Sequence, residues 1–505
     1  MRFGAQAEAF LKLVRSARDR DFPPLREGVQ KTAFLVLPWM QTAVPWYSLA
    51  LALLYRARGL AVEIVFVDTD PPNPAESAGQ IPIIERVLVA LQKRLPFTRL
   101  SAVSPVELSA LDIAEIARIT ELNKIAYLHR AGTADVGAVD NMRAELTRNL
   151  RQLHPLFAND RYDHWVVPGG IYGVSGLCVY CGKLNDRRVA TYDSGPGAVS
   201  VGVRGVAAYC ADIAAIFEPE CARYVDSHRV EAVALAKKEF ELRRLARDRY
   251  GYSAHPYEAA PDMEKCDVLF PLNILDDAAG LAGFRYFTSA ENWLMETVAY
   301  LLAQTNAHVV LREHPGARHV TWSDETCQHV MAAFPGEPRL RFVSCREKVS
   351  TYRLLEAARL VLPYSSTVGV EAAIIGKQVI PENAAYYSGL GFVQKSVSKA
   401  DYFSRIGAAL RDPQSLSGEQ IEKAWLCYYF GQVVGFVDSV FTPVPKDFES
   451  WSRWSFQRLL QETPARVTVD AMSTATPVCR LQSALQFNPP ATPPPRKRFR
   501  LDFWR

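Results

Sequence analysis

Two stretches of the chain place reactive side chains where an apolar run ends. Residues 309–315 read VVLREHP, and residues 361–376 read VLPYSSTVGVEAAIIG. In the first, Arg312 and His314 lie two positions apart, hence on one face of an extended strand. Pro315 keeps His314 out of the helical region and aims its imidazole out of the strand end. In the second, Ser365, Ser366 and Thr367 sit between an apolar strand and an apolar helix. Their hydroxyls can cap that helix, or join its N–H groups in holding an anion such as phosphate. Gly369 lets the backbone approach a ligand or a neighbouring strand closely. Glu371, five residues after Ser366, falls in the first turns of the helix, where the macrodipole favours a carboxylate in any case. Adjacent strand ends bearing an Arg, a His and a Ser-Ser-Thr turn would suit a nucleotide phosphate.

The first half of the chain has its own polar strand ends. DHWVVPGG (163–170) ends on Gly169 and Gly170, a loop suited to close approach of a ligand. RVATYDSGPG (188–197) ends on Asp193, a carboxylate that can take a proton from an attacking hydroxyl, although Asp-Ser-Gly-Pro is also an ordinary turn signature. Other patterns carry less. Cys178 and Cys181 have redox or zinc spacing, but no second Cys pair or His cluster completes a site. Asp68-Thr69-Asp70 reads as a turn, and Asp276-Asp277 could suggest a metal.

The elements that must position these residues are legible as alternation. Strand-length apolar runs at 32–38, 60–68, 163–169 and 188–193 alternate with helical spacing at 44–58, 79–95 and 139–158. A charged helical stretch spans about 219–250. The alternation then restarts, with strands at 266–272, 308–314, 340–344, 358–364 and 377–381 and helices near 290–305, 323–334, 350–357 and 366–376. Repeated strand–helix–strand units make parallel sheets with helices on both faces. The expected architecture is α/β: two facing doubly wound, Rossmann-like domains with a cleft between. The boundaries read as an N-terminal domain over 1–250, a linker over 251–265, a C-terminal domain with closing helices over 266–462, and a Pro-rich basic tail over 463–505. The tail shows no core-forming pattern and is expected to be disordered.

Composition narrows the function classes. Of 505 residues, 49% are hydrophobic and 22% charged, ordinary for a soluble globular chain. The net charge of +4 is concentrated after Pro464, where seven Arg/Lys face two Asp/Glu and leave the rest of the chain at −1. That excludes a globular nucleic-acid binder, which carries its basic patch on a folded face. The longest apolar window, 47–67, is broken by Arg56 and Arg58, so no membrane span is expected. Nine cysteines without a regular framework fit a reducing cytoplasm. The basic-aromatic end, with Phe499, Phe503 and Trp504, suits either a membrane-surface contact or a tail without a role.

The ordered set REHP (312–315), YSSTVGVEAAIIGKQVI (364–380) and AAYYSGLGF (384–392) resembles the C-terminal half of capsule polysaccharide biosynthesis proteins, a family that includes bacterial Kdo transferases of GT-B fold. The His-Pro and Ser-Ser pairing is also similar to that of bacterial GT-B sialyltransferases. The resemblance covers roughly 265–395, is only general for 30–215, and is absent from the tail. It implies a metal-independent glycosyltransferase of surface polysaccharide or glycolipid assembly that needs no cofactor beyond a nucleotide-sugar co-substrate, with a CMP-activated acidic sugar such as Kdo favoured. By the same resemblance His314 and Pro315 would meet the nucleotide, Ser365 and Ser366 its phosphate, and Glu371 the ribose, while Arg312, Thr367 and Gly369 join the donor site from the strand-end reading. Asp193 would be the base, where the sialyltransferase pattern has two successive acids and this chain has one. The strand-end loop at Gly169 and Gly170 would face the cleft, for acceptor or donor approach. Partners would be a nucleotide sugar, a glycan or glycolipid acceptor, and the cytoplasmic face of the inner membrane or capsule assembly proteins. Two alternatives remain on the same fold: a nucleotide-sugar 2-epimerase, which needs further carboxylates, and a catalytically silent glycan-binding member.

Overall fold

The computed structural model describes residues 3–25, 31–39, 42–69, 79–131, 136–195, 198–214, 217, 226–247, 265–274, 285–319, 325–382, 385–438 and 455–488. The linker segment 251–264, Asp70, Asp276-Asp277 and the end 489–505 lie outside them. Among the described residues, twelve strands form two sheets. The first sheet holds β1 (Lys31–Val36), β2 (Ala61–Phe66), β3 (Phe97–Arg99), β4 (Tyr162–Pro168), β5 (Arg188–Gly195), β6 (Ala198–Gly202) and β12 (Phe436–Asp438). The second holds β7 (Val268–Pro271), β8 (Val309–Arg312), β9 (Leu340–Val343), β10 (Leu360–Val361) and β11 (Gln378–Val379).

The first sheet runs β12-β6-β5-β4-β1-β2-β3 and the second β11-β10-β7-β8-β9. The second is parallel throughout. The first has a parallel core, β3-β2-β1-β4-β5, and departs from the expected all-parallel pattern at one edge, where β6 and β12 pair antiparallel. Both parallel cores thus share one winding, with the order reversing beside the first strand of each. Side-chain alternation buries both faces. Phe34 and Val36 point into the core shared with the helices Phe3–Ser16 and Val44–Ala57, while Ala33 and Leu35 meet the helices Val136–Ala158 and Gly173–Leu184. Within β2 the buried Glu63 is neutralised by Lys31 at 3.3 Å and by Arg161.

Two domain assignments need correction. Residues 463–487 are two helices, Thr463–Thr474 and Val478–Phe487, not an unstructured tail. The helix Val44–Ala57 buries twelve of its fourteen residues, so it needs cover on every side. Val467, Val469, Ala471 and Met472 of the 463–474 helix join its core, and Arg58 pairs with Asp470 at 2.9 Å. The amphipathic period there is carried by small and β-branched residues among threonines, which hides it in a Pro-rich context. The chain therefore returns from the second sheet to the first, through β12 and then these helices. Conversely, the helix Arg229–Arg244, read as part of the first domain, packs Ala232, Ala236 and Phe240 into the core of the second sheet.

Candidate functional site

The order of the second sheet reverses between β10 and β7: the chain winds one way through β7, β8 and β9, and the other through β10 and β11. Crossover helices at such a point diverge and leave a crevice at the carboxyl ends of the strands. An open cleft of about 610 Å³ lies there, lined by Pro271 after β7, by Arg312, Glu313, His314 and Pro315 at the end of β8, and by Ser366 and Glu371 after β10. REHP and Ser366 are therefore brought together. Ser365 and Thr367 do not line the cleft. Arg243, which strand-end reasoning did not find, does line it.

Pro315 starts a short 3-10 turn, Pro315–His319, and the Gly316 N–H donates to His314 Nδ1 at 3.0 Å. An accepting Nδ1 leaves the neutral ring's proton on Nε2. The ring is held neutral: burial, then the charges of Arg243 and Arg312, push its pKa down to about 4. His164, buried in β4, is also pushed down to about 4, by burial and then by Arg188. Both histidines bind fewer protons folded than unfolded between pH 4 and 6.5. Their contribution is complete above the unfolded pKa near 6.5 and is lost on acidification towards about 4. Urea midpoints should therefore fall from pH 6.5 to 4 by more in the wild type than in His164→Asn, with roughly 3 kcal/mol at stake for the buried His164. Equal pH dependence in the two proteins would refute the assignment.

Arg312 is 2% exposed and spends its guanidinium on the protein. Nη1 donates to the carbonyl oxygens of Ser344 at 2.6 Å and Val343 at 3.4 Å, Nη2 to that of Val349 at 3.1 Å, and Nε to Thr351 Oγ1 at 3.4 Å. It fixes the loop that carries Val349, Ser350 and Tyr352 into the cleft wall. Glu313 does the same from the other side, accepting the Cys345 N–H at 2.6 Å.

The Ser-Ser-Thr turn precedes a short helix, Val368–Ile374, whose first cap position, Thr367, makes no side-chain capping bond. Ser366 Oγ accepts from the Val368 N–H at 3.4 Å, a long bond that constrains the hydroxyl only weakly. The Gly369 requirement has a different cause from the expected close approach of ligand or strand. Tyr387 lies across Gly369 and donates to the Ser366 carbonyl at 2.7 Å. A Cβ on Gly369 would overlap the Tyr387 hydroxyl. Glu371 is 1% exposed and pairs with Arg243, whose Nε is 2.9 Å from its Oε1.

A second cavity, of about 470 Å³, occupies the equivalent reversal in the first sheet, between β1 and β4. Trp39, Pro168, Gly169, Tyr172, Tyr192 and Asp193 line it, and Asp193 is exposed. It shares no lining residue with the first cleft. Gly169 (φ 66°) and Gly170 (φ 94°) both need a left-handed backbone. Gly170 serves packing, because a Cβ there would meet Thr191 Cγ2 at 2.7 Å. Cys178 and Cys181 are both buried, and burial raises both thiols well above their usual range. Asp68 accepts from the Ser101 N–H at 3.0 Å, tying the end of β2 to the short turn Leu100–Ala102 that follows β3. Among the described residues no cluster of His, Cys, Asp and Glu could hold a metal ion, and no helix is long and apolar enough to cross a membrane.

No known family profile matches the chain. Protein FixF of Sinorhizobium fredii is 28% identical over 136 residues, covering 27% of this chain and 29% of that protein, so the match spans less than a third of the curated relative. Among solved structures, the KpsC β-Kdo 2,4 transferase of Thermosulfurimonas dismutans overlaps 53% of this chain and 80% of its own, at 14% identity and a TM-score of 0.35. The UDP-GlcNAc 2-epimerase of Neisseria meningitidis overlaps 80% and 97%, at 11% identity and a TM-score of 0.25. The fold class itself rests on the two sheet orders.

Proposed function

We propose that this chain is a GT-B-type glycosyltransferase that binds a nucleotide sugar at the ends of β7, β8 and β10. The observation that carries the reading is the switch-point cleft itself, where a neutral His314 and Ser366 converge beside Arg243. The His314 Nε2–H and the Ser366 hydroxyl would hold the nucleotide and its phosphate. The REHP and Ser-Ser pairing favours a CMP-activated acidic sugar such as Kdo, and the family resemblance favours a surface polysaccharide or glycolipid acceptor. Work on such an acceptor would place the protein at the cytoplasmic face of the inner membrane, with capsule assembly proteins as further partners. The second cavity would take the acceptor on Trp39 and Tyr172, whose rings suit a sugar face. Its hydroxyl oxygen would attack the anomeric carbon as Asp193 takes the hydroxyl proton, and the phosphate would leave with the bonding electrons. Leaving-group charge would be met by the cleft's own cations and hydrogen-bond donors, without a metal.

The separation of Asp193 from the lining of the first cleft favours, as a second reading, a catalytically silent binder on the same fold. The 2-epimerase reading is weaker. The carboxylates lining the first cleft, Glu313 and Glu371, are committed to the Cys345 N–H and to Arg243.

A thermal-shift panel of CMP, CDP, UDP and GDP tests the reading. CMP is expected to stabilise the wild type, by about 2.7 kcal/mol at a hundredfold excess over Kd. Ser366→Ala and His314→Ala should lose that shift. Stabilisation by UDP alone would overturn the CMP-sugar assignment, and stabilisation by none would overturn the donor site. Asp193→Asn should keep the CMP shift and lose transfer. Undiminished transfer by that variant would refute Asp193 as the base.

A further inference from the structure

The first cleft poses a charge problem that the sequence motifs do not solve. Its two arginines are not equivalent. Arg312 donates from all three of its nitrogens to the segment Val343–Thr351, so it is a structural strut and not a ready anion receptor. Arg243 reaches the cleft from the last turn of the helix Arg229–Arg244, with its side chain 18% exposed. Its Nε rests on Glu371 at 2.9 Å, and its Nη1 on Gln432 Oε1 at 3.2 Å. Glu371 is more deeply enclosed, with its side chain 2% exposed. Arg243 and His314 line the same cleft, and Arg243 is the largest charge lowering the His314 pKa.

We propose that Arg243 is the anion-binding residue of this cleft and that Glu371 is a built-in competitor, occupying the guanidinium until a ligand phosphate takes it. This rests on the reading of the cleft as a nucleotide site, and it reverses the role that the family resemblance gives Glu371. A carboxylate holding ribose hydroxyls adds affinity, whereas a carboxylate competing with phosphate for one guanidinium subtracts it. The location supports an exchange of partners. Both groups line the cleft, and a charge-assisted guanidinium–phosphate pair can replace the guanidinium–carboxylate pair without leaving the cation bare.

The exchange also touches the return of the chain to the first sheet. Gln432, the second partner of Arg243, lies in a single π-helical turn, Tyr429–Val433, that leads directly into β12 at the edge of the first sheet. Such π-helical turns are frequent at functional sites. Drawing Arg243 towards a ligand would therefore alter one hydrogen bond at the segment connecting the two sheets.

Calorimetric titration of CMP into the wild type, Glu371→Gln, Arg243→Gln, Arg243→Lys and the double variant Arg243→Gln/Glu371→Gln decides the point. Glu371→Gln keeps the shape and removes the competing charge, so CMP should bind about 3- to 10-fold tighter. Arg243→Gln should bind at least about 10-fold more weakly. Arg243→Lys should fall between wild type and Arg243→Gln, since it keeps the charge but not the fork. The double variant should match Arg243→Gln, because the competitor matters only while the guanidinium is present. Weaker binding by Glu371→Gln with an unchanged near-UV circular dichroism spectrum would overturn the competitor role. Unchanged binding by Arg243→Gln would overturn the anion-binding role. If CMP, CDP, UDP and GDP all fail to bind the wild type, the donor-site reading falls on its own. Inorganic phosphate then serves as the probe: tighter binding by Glu371→Gln and loss in Arg243→Gln sustain the competitor pair, and the absence of both refutes it.

Discussion

Alanine at position 369 is expected to be among the most damaging single-methyl changes in this protein. The new Cβ would overlap the hydroxyl of Tyr387, lie 2.7 Å from its Cζ and stand 3.0 Å from Pro363 Cγ. Tyr387 is fully buried and anchored to the Ser366 carbonyl, and its ring stacks on Phe392 at 6.1 Å between centroids. It cannot swing into solvent. Overpacking of this kind costs about 3 kcal/mol, and the displaced phenol would release the Ser366 carbonyl at the cleft wall. Two companions separate crowding from backbone strain. Gly376, just past the C-terminal end of this helix, has φ 80° with open space around it, so Gly376→Ala isolates the left-handed strain, about 1 kcal/mol. Tyr387→Phe removes the atom that is overlapped. Combined with Gly369→Ala it should cost less than the sum of the two single changes. Chemical unfolding midpoints read all three comparisons. A cost below about 1 kcal/mol for Gly369→Ala, or strict additivity with Tyr387→Phe, would show that the Tyr387 packing is not what demands a glycine.

Arg312 should behave as a stability residue before it behaves as a binding residue. Arg312→Met would remove the donors from three carbonyl groups and a threonine hydroxyl at a site where the side chain is 2% exposed. The Val343 and Ser344 carbonyls would keep the backbone N–H groups of Glu313 and Glu347, so the Val349 carbonyl and the Thr351 hydroxyl lose most. A buried acceptor left unsatisfied costs about 1–3 kcal/mol, and with some rehydration through the cleft a total near 2–4 kcal/mol is expected for the ligand-free protein. Arg312→Lys should recover little, because one ammonium nitrogen cannot span acceptors that three guanidinium nitrogens now serve. By contrast, His314→Ala, which gives up one accepted N–H, should cost the ligand-free protein less than Arg312→Met while removing nucleotide binding. Urea unfolding without ligand, beside nucleotide titration of whatever remains folded, separates the two. An Arg312→Lys protein as stable as wild type but blind to nucleotide would restore the direct phosphate role that the REHP motif suggests.

Both cases show where reading by strand ends succeeds and where it stops. VVLREHP and VLPYSS could be placed at one site from the chain alone, because parallel strands joined by right-handed crossovers all end on the same edge of the sheet. Nine of the ten strands of the parallel cores were legible as well, because buried β-branched runs leave few alternatives. β3, β6 and β12 were not, since two of them owe their place to edge pairing and none carries a long apolar run. The helices at 463–487 escaped because their cover of the helix Val44–Ala57 is a property of that partner as much as of their own sequence.

Hydrophobic period and strand-end chemistry thus determined the α/β class, the two windings and the convergence of His314 with Ser366. These features follow from local backbone geometry and from which side chains avoid water. The tertiary structure alone decided what each polar group touches. It committed Arg312 to loop carbonyls and set Tyr387 across Gly369. It also brought Arg243, some 130 residues before Glu371 and read as part of the other domain, against that carboxylate. A periodic pattern states that a face is buried, but not against what. Charge pairing inside a cleft depends on distances that only the packed chain defines.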